Sequence, residues 1–146
     1  MDYSLPALKL LCFQLRHAVS SSPSSDIIKV STIYGRRFQR VWIQGVLVSV
    51  SPPDENSQRR AVIDDGTGVA ELIVQLDHAC KVGMYVMAVG VFTPCAADHA
   101  ISLVEVHKIV DLSSYPDREA IWNLEVIEAN NLFYNQKTAK SVSRLL

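Results

Sequence analysis

The sequence predicts an all-β domain in which five strands form a small barrel that is followed by a carboxy-terminal α-helix. Segments rich in β-branched and aromatic residues recur between residues 40 and 110, and short polar turns separate them. A helical pattern of apolar residues then runs from Ser114 to about Tyr134. The 146 residues, 49% of them hydrophobic and 20% charged, suit one globular domain.

The first predicted strand is Arg40–Val50 (RVWIQGVLVSV), and it is the longest. Apolar side chains fall on both of its faces, so we expect both faces to be covered, unlike a strand with one face in water. Gly45 lies in the middle of this strand, where a barrel strand often bends sharply.

The other predicted strands share the same composition and follow one another closely: Arg59–Asp64, Val69–Leu76, Tyr85–Phe92 and Ala100–Val110. Asp64–Gly68 reads as a tight turn, because Asp-Gly supplies the positive φ that such hairpins need. Most connections are too short for helical crossovers, so we expect a mainly antiparallel sheet. Five such strands with internal glycines, among them Gly90, predict an OB-fold Greek-key barrel; an SH3-like barrel is the structural alternative.

The remaining chain divides around this barrel, which we place at residues 26–113. Residues 1–25 form an amino-terminal segment and linker, in which the spacing of Leu5, Leu8, Leu11, Cys12, Leu15 and Val19 favours a short helix over a strand. Residues 114–135 form the carboxy-terminal interface helix, with Ser114 as its predicted cap. Residues 136–146 are predicted to be a flexible basic tail.

The carboxy-terminal helix has an apolar arc wider than one core requires. Trp122, Val126, Ala129 and Phe133 form one stripe, whereas Ala120, Leu124 and Ile127, flanked by Ile121 and Leu132, form another. A broad barrel face that needs a wide helix is one explanation. The other is a helix-to-helix subunit interface with Trp122 as its aromatic anchor. The second explanation implies that Trp122→Ala abolishes the partner complex and leaves the barrel largely intact.

The remaining chemistry of the chain predicts no enzyme. The net charge of the whole chain is −1. Dedicated nucleic-acid binders usually carry a basic face, and the net charge gives no sign of one. Three cysteines without a CxxC pair suggest reduced thiols, and we find no catalytic, metal, cofactor or membrane-spanning pattern. Arg36, Arg37 and Arg40 make a small basic cluster, which we interpret as a solvated loop, although weak contact to DNA inside a larger complex stays open.

Several segments resemble a known family. LKLLCFQL (8–15), VWIQG (41–45), GMYVMAVGV (83–91) and VHKIVDLSSYPDREAIWNLEV (106–126) resemble the second subunit of the RecQ-mediated genome instability complex, in the same order. The layout is also similar to the middle subunit of replication protein A. The segment WNLEVIEA (122–129) resembles the carboxy-terminal helix of that subunit. The Asp64–Gly68 turn and the Ser51–Gln58 loop differ from animal members, which leaves contacts made by these loops open.

The resemblance implies a nuclear, non-catalytic adaptor that pairs with the carboxy-terminal OB fold of its larger partner subunit. That pair supports a RecQ helicase and topoisomerase III in dissolving double Holliday junctions without crossover. The residues predicted to bind the partner are Trp122, Leu124, Val126, Ile127, Ala129, Phe133 and Lys108. Lys108 is either a charge-pair contact across the interface or a solvated lysine at the edge. The alternative function is a single-stranded-DNA-binding OB subunit of a replication protein A-like or telomere-capping complex.

Overall fold

The computed structural model describes residues 4–20, 30–75, 78–94 and 101–134. The predicted basic tail at 136–146 lies outside these residues. The elements are β1 (Leu8–Lys9), α1 (Cys12–Leu15), β2 (Val19–Ser20), β3 (Ser31–Ile33), β4 (Arg36–Phe38), β5 (Arg40–Val50), β6 (Gln58–Asp64), β7 (Val69–Gln75), β8 (Tyr85–Thr93), β9 (Leu103–Asp111) and α2 (Arg118–Ala129), which continues as a π-helical turn at Asn130–Tyr134.

Strands β5 to β9 form the predicted barrel. They pair in the order β5-β6-β7-β9-β8, and a further β5–β8 pairing closes the sheet on itself. The pairing is antiparallel except between β7 and β9, as the short turns predict. The all-β class with a carboxy-terminal helix is therefore confirmed. Strand β5 has the predicted bounds, and the other barrel strands differ from the prediction by one to three residues at an end.

The barrel interior is filled by one side-chain set of each strand, because successive side chains of a strand point to opposite faces. These residues are fully buried: Val41, Ile43, Leu47, Ala61, Ile63, Ala70, Leu72, Val74, Val86, Ala88, Phe92 and Val104. Phe38 extends this core from β4, and its ring stacks on that of Phe92 with centroids 5.6 Å apart. This alternation is why the sequence pattern predicted these strands well.

Two strand glycines mark places where backbones come close together. A Cβ on Gly45 would lie 2.6 Å from the carbonyl oxygen of Asp64, at the point where β5 begins to pair with β6. A Cβ on Gly90 would collide with the carbonyl oxygen of Glu105, beside the irregularity in the β8–β9 pairing. The sequence predicted bends at these glycines, and their structural requirement is this close approach of backbone.

The predicted amino-terminal helix is wrong over most of its length. Only Cys12–Leu15 is helical, whereas Leu8–Lys9 pairs in parallel with β5 and Val19–Ser20 pairs with β3. The apolar residues from Leu8 to Leu15, except the half-buried Phe13, are buried, because this part of the segment packs against both the barrel and α2. The apolar residues have helix-like spacing because an extended chain is buried on more than one side there. Tertiary contacts, and not local propensity, decided the conformation.

A hairpin that the sequence analysis missed precedes the barrel. Strands β3 and β4 pair in antiparallel fashion around Tyr34 and Gly35, whose φ angles are 52° and 75°. Positive φ at both central residues is the geometry of a tight hairpin turn. Tyr-Gly signals such a turn less clearly than Asn-Gly, and the flanking strands span only three residues each.

Helix α2 begins later than predicted. Its N-cap is Asp117, and Ser114 does not cap it. Residue Tyr115 precedes Pro116, which disfavours helical backbone at that position. The chain instead makes successive turns, in which Tyr115 donates to the Leu112 carbonyl and Arg118 donates to the Tyr115 carbonyl.

Candidate partner-binding surface

One face of α2 packs on the barrel and carries Trp122, which is 1% exposed. Its ring lies 6.4 Å from that of Trp42 on the outer face of β5, and Leu11 and Val126 complete this small apolar core. Trp122 and Val126 were predicted to bind a partner. The structure corrects that prediction, because both side chains are almost completely buried in the chain's own core.

The opposite face of α2 is apolar and exposed. Leu124 follows Trp122 by two residues, which is about 200° around a helix of 3.6 residues per turn, and it is 66% exposed. Ile121 is exposed as well, as are Leu132 and Phe133 in the π-helical turn that follows, where Phe133 also lines a cavity with Leu8 and Ala129. We call the four exposed residues the outer stripe. Of the other predicted partner contacts on the helix, Ile127 is half-buried and Ala129 is buried.

The outer face of β5 is covered only in part, which corrects the prediction that both faces are covered. Trp42 lies under α2, whereas Val46 and Val48 are exposed. A helix of 12 residues is about 18 Å long and cannot cover the whole outer face of an 11-residue strand as well as its neighbours. A cavity of about 220 Å³ separates these valines from Glu119 and Trp122 of α2.

Charged groups fix α2 against the amino-terminal segment. The ammonium group of Lys9 lies 3.3 Å from a carboxylate oxygen of Glu125 and 5.0 Å from the centre of the Trp42 ring. Arg118 approaches the other oxygen of the same carboxylate at 4.0 Å. All three charged side chains are about one-third exposed, so each pair contributes at most about 1 kcal/mol and serves mainly to orient the helix.

Buried amides fix the end of α2. The side chains of Gln14 and Asn130 are completely buried, and Gln14 Nε2 donates to Asn130 Oδ1 at 3.4 Å. Gln14 Oε1 accepts the Leu11 N–H at 2.7 Å, and Asn130 Nδ2 donates to the Val126 carbonyl at 3.0 Å. Tyr134 closes this end by donating its hydroxyl to the Lys9 carbonyl at 3.2 Å.

The Asp64–Gly68 turn has a second role that the sequence did not reveal. An Asp65 carboxylate oxygen accepts the Cys12 N–H at 2.7 Å, and the Thr67 hydroxyl oxygen accepts the Phe13 N–H at 3.2 Å. The turn thereby satisfies two backbone donors at the start of α1. Burial, reinforced by the Asp65 charge, raises the pKa of the Cys12 thiol, which keeps it protonated and unsuited to nucleophilic chemistry.

Lys108 is exposed on β9, on the same outer face of the barrel as Trp42. It pairs with Val89 of β8, and Val89 pairs in turn with Trp42. Neighbouring strands lie about 4.8 Å apart, so the Lys108 backbone is about 10 Å from that of Trp42. Lys108 therefore stands two strands away from the strand that α2 covers.

The predicted basic cluster does not form one surface. Arg36 and Arg37 are exposed on β4, whereas Arg40 is half-buried and donates to the Leu5 carbonyl at 3.1 Å. On β6, Arg60 is paired with Glu71 at 2.6 Å. The arginines therefore lie in different surroundings, and two of them are engaged within the chain.

Within residues 4–20, 30–75, 78–94 and 101–134, the structure groups no three His, Cys, Asp or Glu side chains that could hold a metal ion. In the same residues, none of the helices combines the length and apolar character needed to cross a bilayer.

The fold is similar to that of solved OB-fold assemblies. A chain of a replication protein A heterotrimer bound to single-stranded DNA superposes with a TM-score of 0.71 at 15% identity, covering 89% of this chain and 99% of that one. A chain of the Schizosaccharomyces pombe Stn1–Ten1 complex also gives 0.71, at 12% identity, over 93% and 98% of the two chains. These similarities support the OB-fold barrel over the SH3-like alternative.

Sequence comparison gives the family. RecQ-mediated genome instability protein 2 of Mus musculus is 31% identical over 130 residues, covering 84% of this chain and 80% of the relative. The Gallus gallus protein of the same name is 30% identical over 87% of this chain and 93% of its own length, and the Bos taurus protein is 29% identical over 89% and 82%. The family model for RecQ-mediated genome instability protein 2 matches residues 6–130. This chain therefore belongs to the RecQ-mediated genome instability protein 2 family and has a role in RecQ-mediated genome stability.

Proposed function

We propose that this chain is a non-catalytic structural subunit that pairs with the carboxy-terminal OB fold of the larger RecQ-mediated genome instability subunit. The pair supports a RecQ helicase and topoisomerase III in the nucleus, in the dissolution of double Holliday junctions without crossover. The observation that carries the proposal is the outer stripe, an exposed apolar surface on a helix whose other face is fixed to the barrel. Membership of the RecQ-mediated genome instability protein 2 family supports this choice of complex.

The outer stripe suits a protein partner because its residues are large, apolar and exposed. Leu124 and Ile121 are three residues apart and therefore neighbours on the helix surface. Exposed apolar patches of this kind commonly mark interaction sites. Trp122 also fixes the helix on the barrel, so binding costs little conformational entropy for ordering it.

A binding measurement with a charge placed in the outer stripe tests the proposal. In Leu124→Glu, the carboxylate would be buried against the larger subunit. We expect the affinity to fall at least about 30-fold, since hot-spot side chains contribute about 2 kcal/mol or more and 1.4 kcal/mol is a factor of ten. The measurement is isothermal calorimetry with the purified carboxy-terminal OB fold of the larger subunit.

Val82→Glu is the matched control, because Val82 is 64% exposed in the turn before β8 and is not part of α2. The control should bind with unchanged affinity, and both variants should unfold at the urea concentration of the unsubstituted chain. Equal affinity of Leu124→Glu and Val82→Glu would remove the outer stripe from the interface.

Single-stranded DNA binding is the alternative function, because the similar replication protein A chain comes from a complex bound to single-stranded DNA. OB folds that bind single strands stack bases on exposed aromatic side chains. Strands β6 and β7 carry no aromatic residue, and Arg60 is occupied by Glu71. Tight binding of a fluorescent oligonucleotide by the chain alone, weakened strongly by salt, would favour the alternative.

A further inference from the structure

We propose that Gln14 and Asn130 are positioning residues: they hold the π-helical turn at the end of α2, and this turn keeps Phe133 exposed, where it contacts the larger subunit. This larger subunit is the partner of the proposed function, on which the proposal rests. The π-helical turn itself and its hydrogen bonds are features of the chain alone.

The direction of Phe133 is the feature that needs a cause. Phe133 follows Ala129 by four residues and Val126 by seven, so an uninterrupted α-helix would place all three on one face. Ala129 and Val126 are buried against the barrel, yet Phe133 is 57% exposed. The sequence pattern accordingly predicted Phe133 in the same stripe as Trp122, whereas in the structure it is exposed and lines an open cavity with Ala129 and Leu8.

The π-helical turn is that cause. An α-helix closes its hydrogen bonds over four residues and a π turn over five, so side chains beyond the turn move one position around the axis. Tyr134 therefore takes the inward direction in place of Phe133. Its ring packs on the core beside Tyr34, with centroids 6.3 Å apart, and its hydroxyl donates to the Lys9 carbonyl.

Asn130 is the residue at which the α-helix gives way to the π-helical turn. Its Nδ2 donates to the Val126 carbonyl. Its backbone N–H donates to the same carbonyl and to that of Ile127. An asparagine side chain that bonds a carbonyl four residues back competes with regular helix bonding. Asn130 thus supplies the local disturbance from which the π turn begins.

Gln14 keeps this disturbance in place, because both amides are completely buried and a buried amide without partners is costly. Gln14 Nε2 reaches Asn130 Oδ1 and the Tyr34 hydroxyl, each at 3.4 Å, while its Oε1 accepts the Leu11 N–H. An arrangement that moved Asn130 would remove one of these partners from Gln14 and leave the buried Asn130 amide without its own. Buried polar networks of this kind can select one packing arrangement over others, and π turns occur frequently at functional sites.

The first test replaces both amides by leucine in the full chain. In Gln14→Leu/Asn130→Leu the buried site is apolar and of similar volume, so the chain should remain folded, while the reason for the π turn is gone. We expect the affinity for the larger subunit to fall about tenfold or more, with a lower urea midpoint because the buried Leu11 N–H loses its Gln14 acceptor. Binding within about twofold of the unsubstituted chain would overturn the proposal.

The second test measures the direction of residue 133 without the partner. Phe133→Cys is introduced into the unsubstituted chain and into the chains with Gln14→Leu/Asn130→Leu or Asn130→Ala, and labelling by a maleimide is located by peptide mass mapping. Asn130→Ala adds no volume and favours continuous α-helix, so it serves if the double variant fails to fold. We expect the introduced cysteine at position 133 to be labelled more slowly in both amide variants than in the chain that keeps Gln14 and Asn130. Equal labelling rates would contradict the proposal.

The two proposals fail differently. If Leu124→Glu binds normally, the outer stripe is not an interface and the proposed function is lost. If Leu124→Glu loses binding but Gln14→Leu/Asn130→Leu keeps it, the interface stands and the positioning role of the amides is wrong.

Discussion

The two faces of α2 have similar composition but opposite environments. Trp122 on one face is 1% exposed, and Leu124, two residues later, is 66% exposed. A helical pattern shows how many apolar faces a helix has, because it depends only on residue spacing. It does not show which face turns to the chain's own core. That choice depends on what the rest of the chain offers to each face.

The barrel offers a partner of suitable shape to the Trp122 face. Trp42 stands on the outer side of β5, and Leu11 reaches the same place from the amino-terminal segment. An aromatic side chain buries about 150–250 Å², more than leucine does, so packing the tryptophan face inward removes more apolar surface from water. The contrast shows that Trp122 decides which face of α2 turns inward, and Leu124 and Ile121 remain exposed on the other face.

Replacing the buried aromatic gives the largest expected effect. Trp122→Ala removes the centre of the core between α2 and the barrel, and truncation of a buried tryptophan costs about 3–5 kcal/mol of unfolding free energy. Leu124→Ala is the matched change on the other face and should stay within about 0.5 kcal/mol. Urea denaturation followed by circular dichroism measures both.

This expectation reverses the one drawn from the sequence, in which Trp122→Ala spares the barrel. If Trp122→Ala unfolds at the same urea concentration as Leu124→Ala, then the two faces do not differ as the structure indicates. Loss of partner binding by Trp122→Ala alone would not identify a contact, because the variant also loses the packing that positions the outer stripe.

A smaller effect is expected at high pH, from the tyrosine next to exposed Phe133. Burial raises the pKa of Tyr134 to about 12, from an ordinary value of 10. The unfolded chain therefore releases this proton at a lower pH than the folded chain, and the unfolding free energy falls as the pH rises from about 10 to 12. In Tyr134→Phe this alkaline loss should be smaller, although the hydroxyl bond to Lys9 is also lost at neutral pH.

The measurement is urea denaturation at a series of pH values between neutral and about 12. Some alkaline loss should remain in Tyr134→Phe, because burial also raises the pKa of Tyr34 and, with the nearby Glu119 and Asp65 charges, that of Tyr85 to about 12. Tyr115→Phe changes an exposed ring and is the control. An alkaline loss of equal size in Tyr134→Phe and Tyr115→Phe would mean that Tyr134 is not held inward by the π-helical turn.

The barrel could be predicted from the sequence because each strand carries its own signal. In β5, Val41, Ile43 and Leu47 recur at even spacing among β-branched neighbours, and this local pattern is the one that the folded barrel uses. The segment from Leu8 to Leu15 carries no such signal. Its residues are buried between two elements, so their spacing satisfies several periods at once.

The candidate site could be predicted only in part. The existence of a second apolar face on α2 followed from spacing, and Leu124 is exposed as that face requires. The π-helical turn depends on Gln14, which lies 116 residues from Asn130 in the chain and meets it only after folding. No local pattern predicts such a contact, which is why the sequence did not indicate that Phe133 is exposed while Val126 and Ala129 are buried.

Lys108 offers the smallest expected effect and a way to extend the comparison from α2 to the barrel surface. Lys108→Glu should leave the unfolding free energy within about 0.5 kcal/mol, since the side chain is exposed on β9. If it faces a carboxylate of the larger subunit, as the family resemblance implies, the association rate should fall severalfold at low salt and converge at high salt, because charges at the edge of an interface act mainly on encounter. Stopped-flow mixing with the larger subunit measures this rate, and Lys81→Glu, an exposed charge reversal in the turn before β8, is the control.

Identical rates for the two variants at every salt concentration would make Lys108 a solvated lysine. The partner surface would then end at the helix and leave the β8–β9 face of the barrel free.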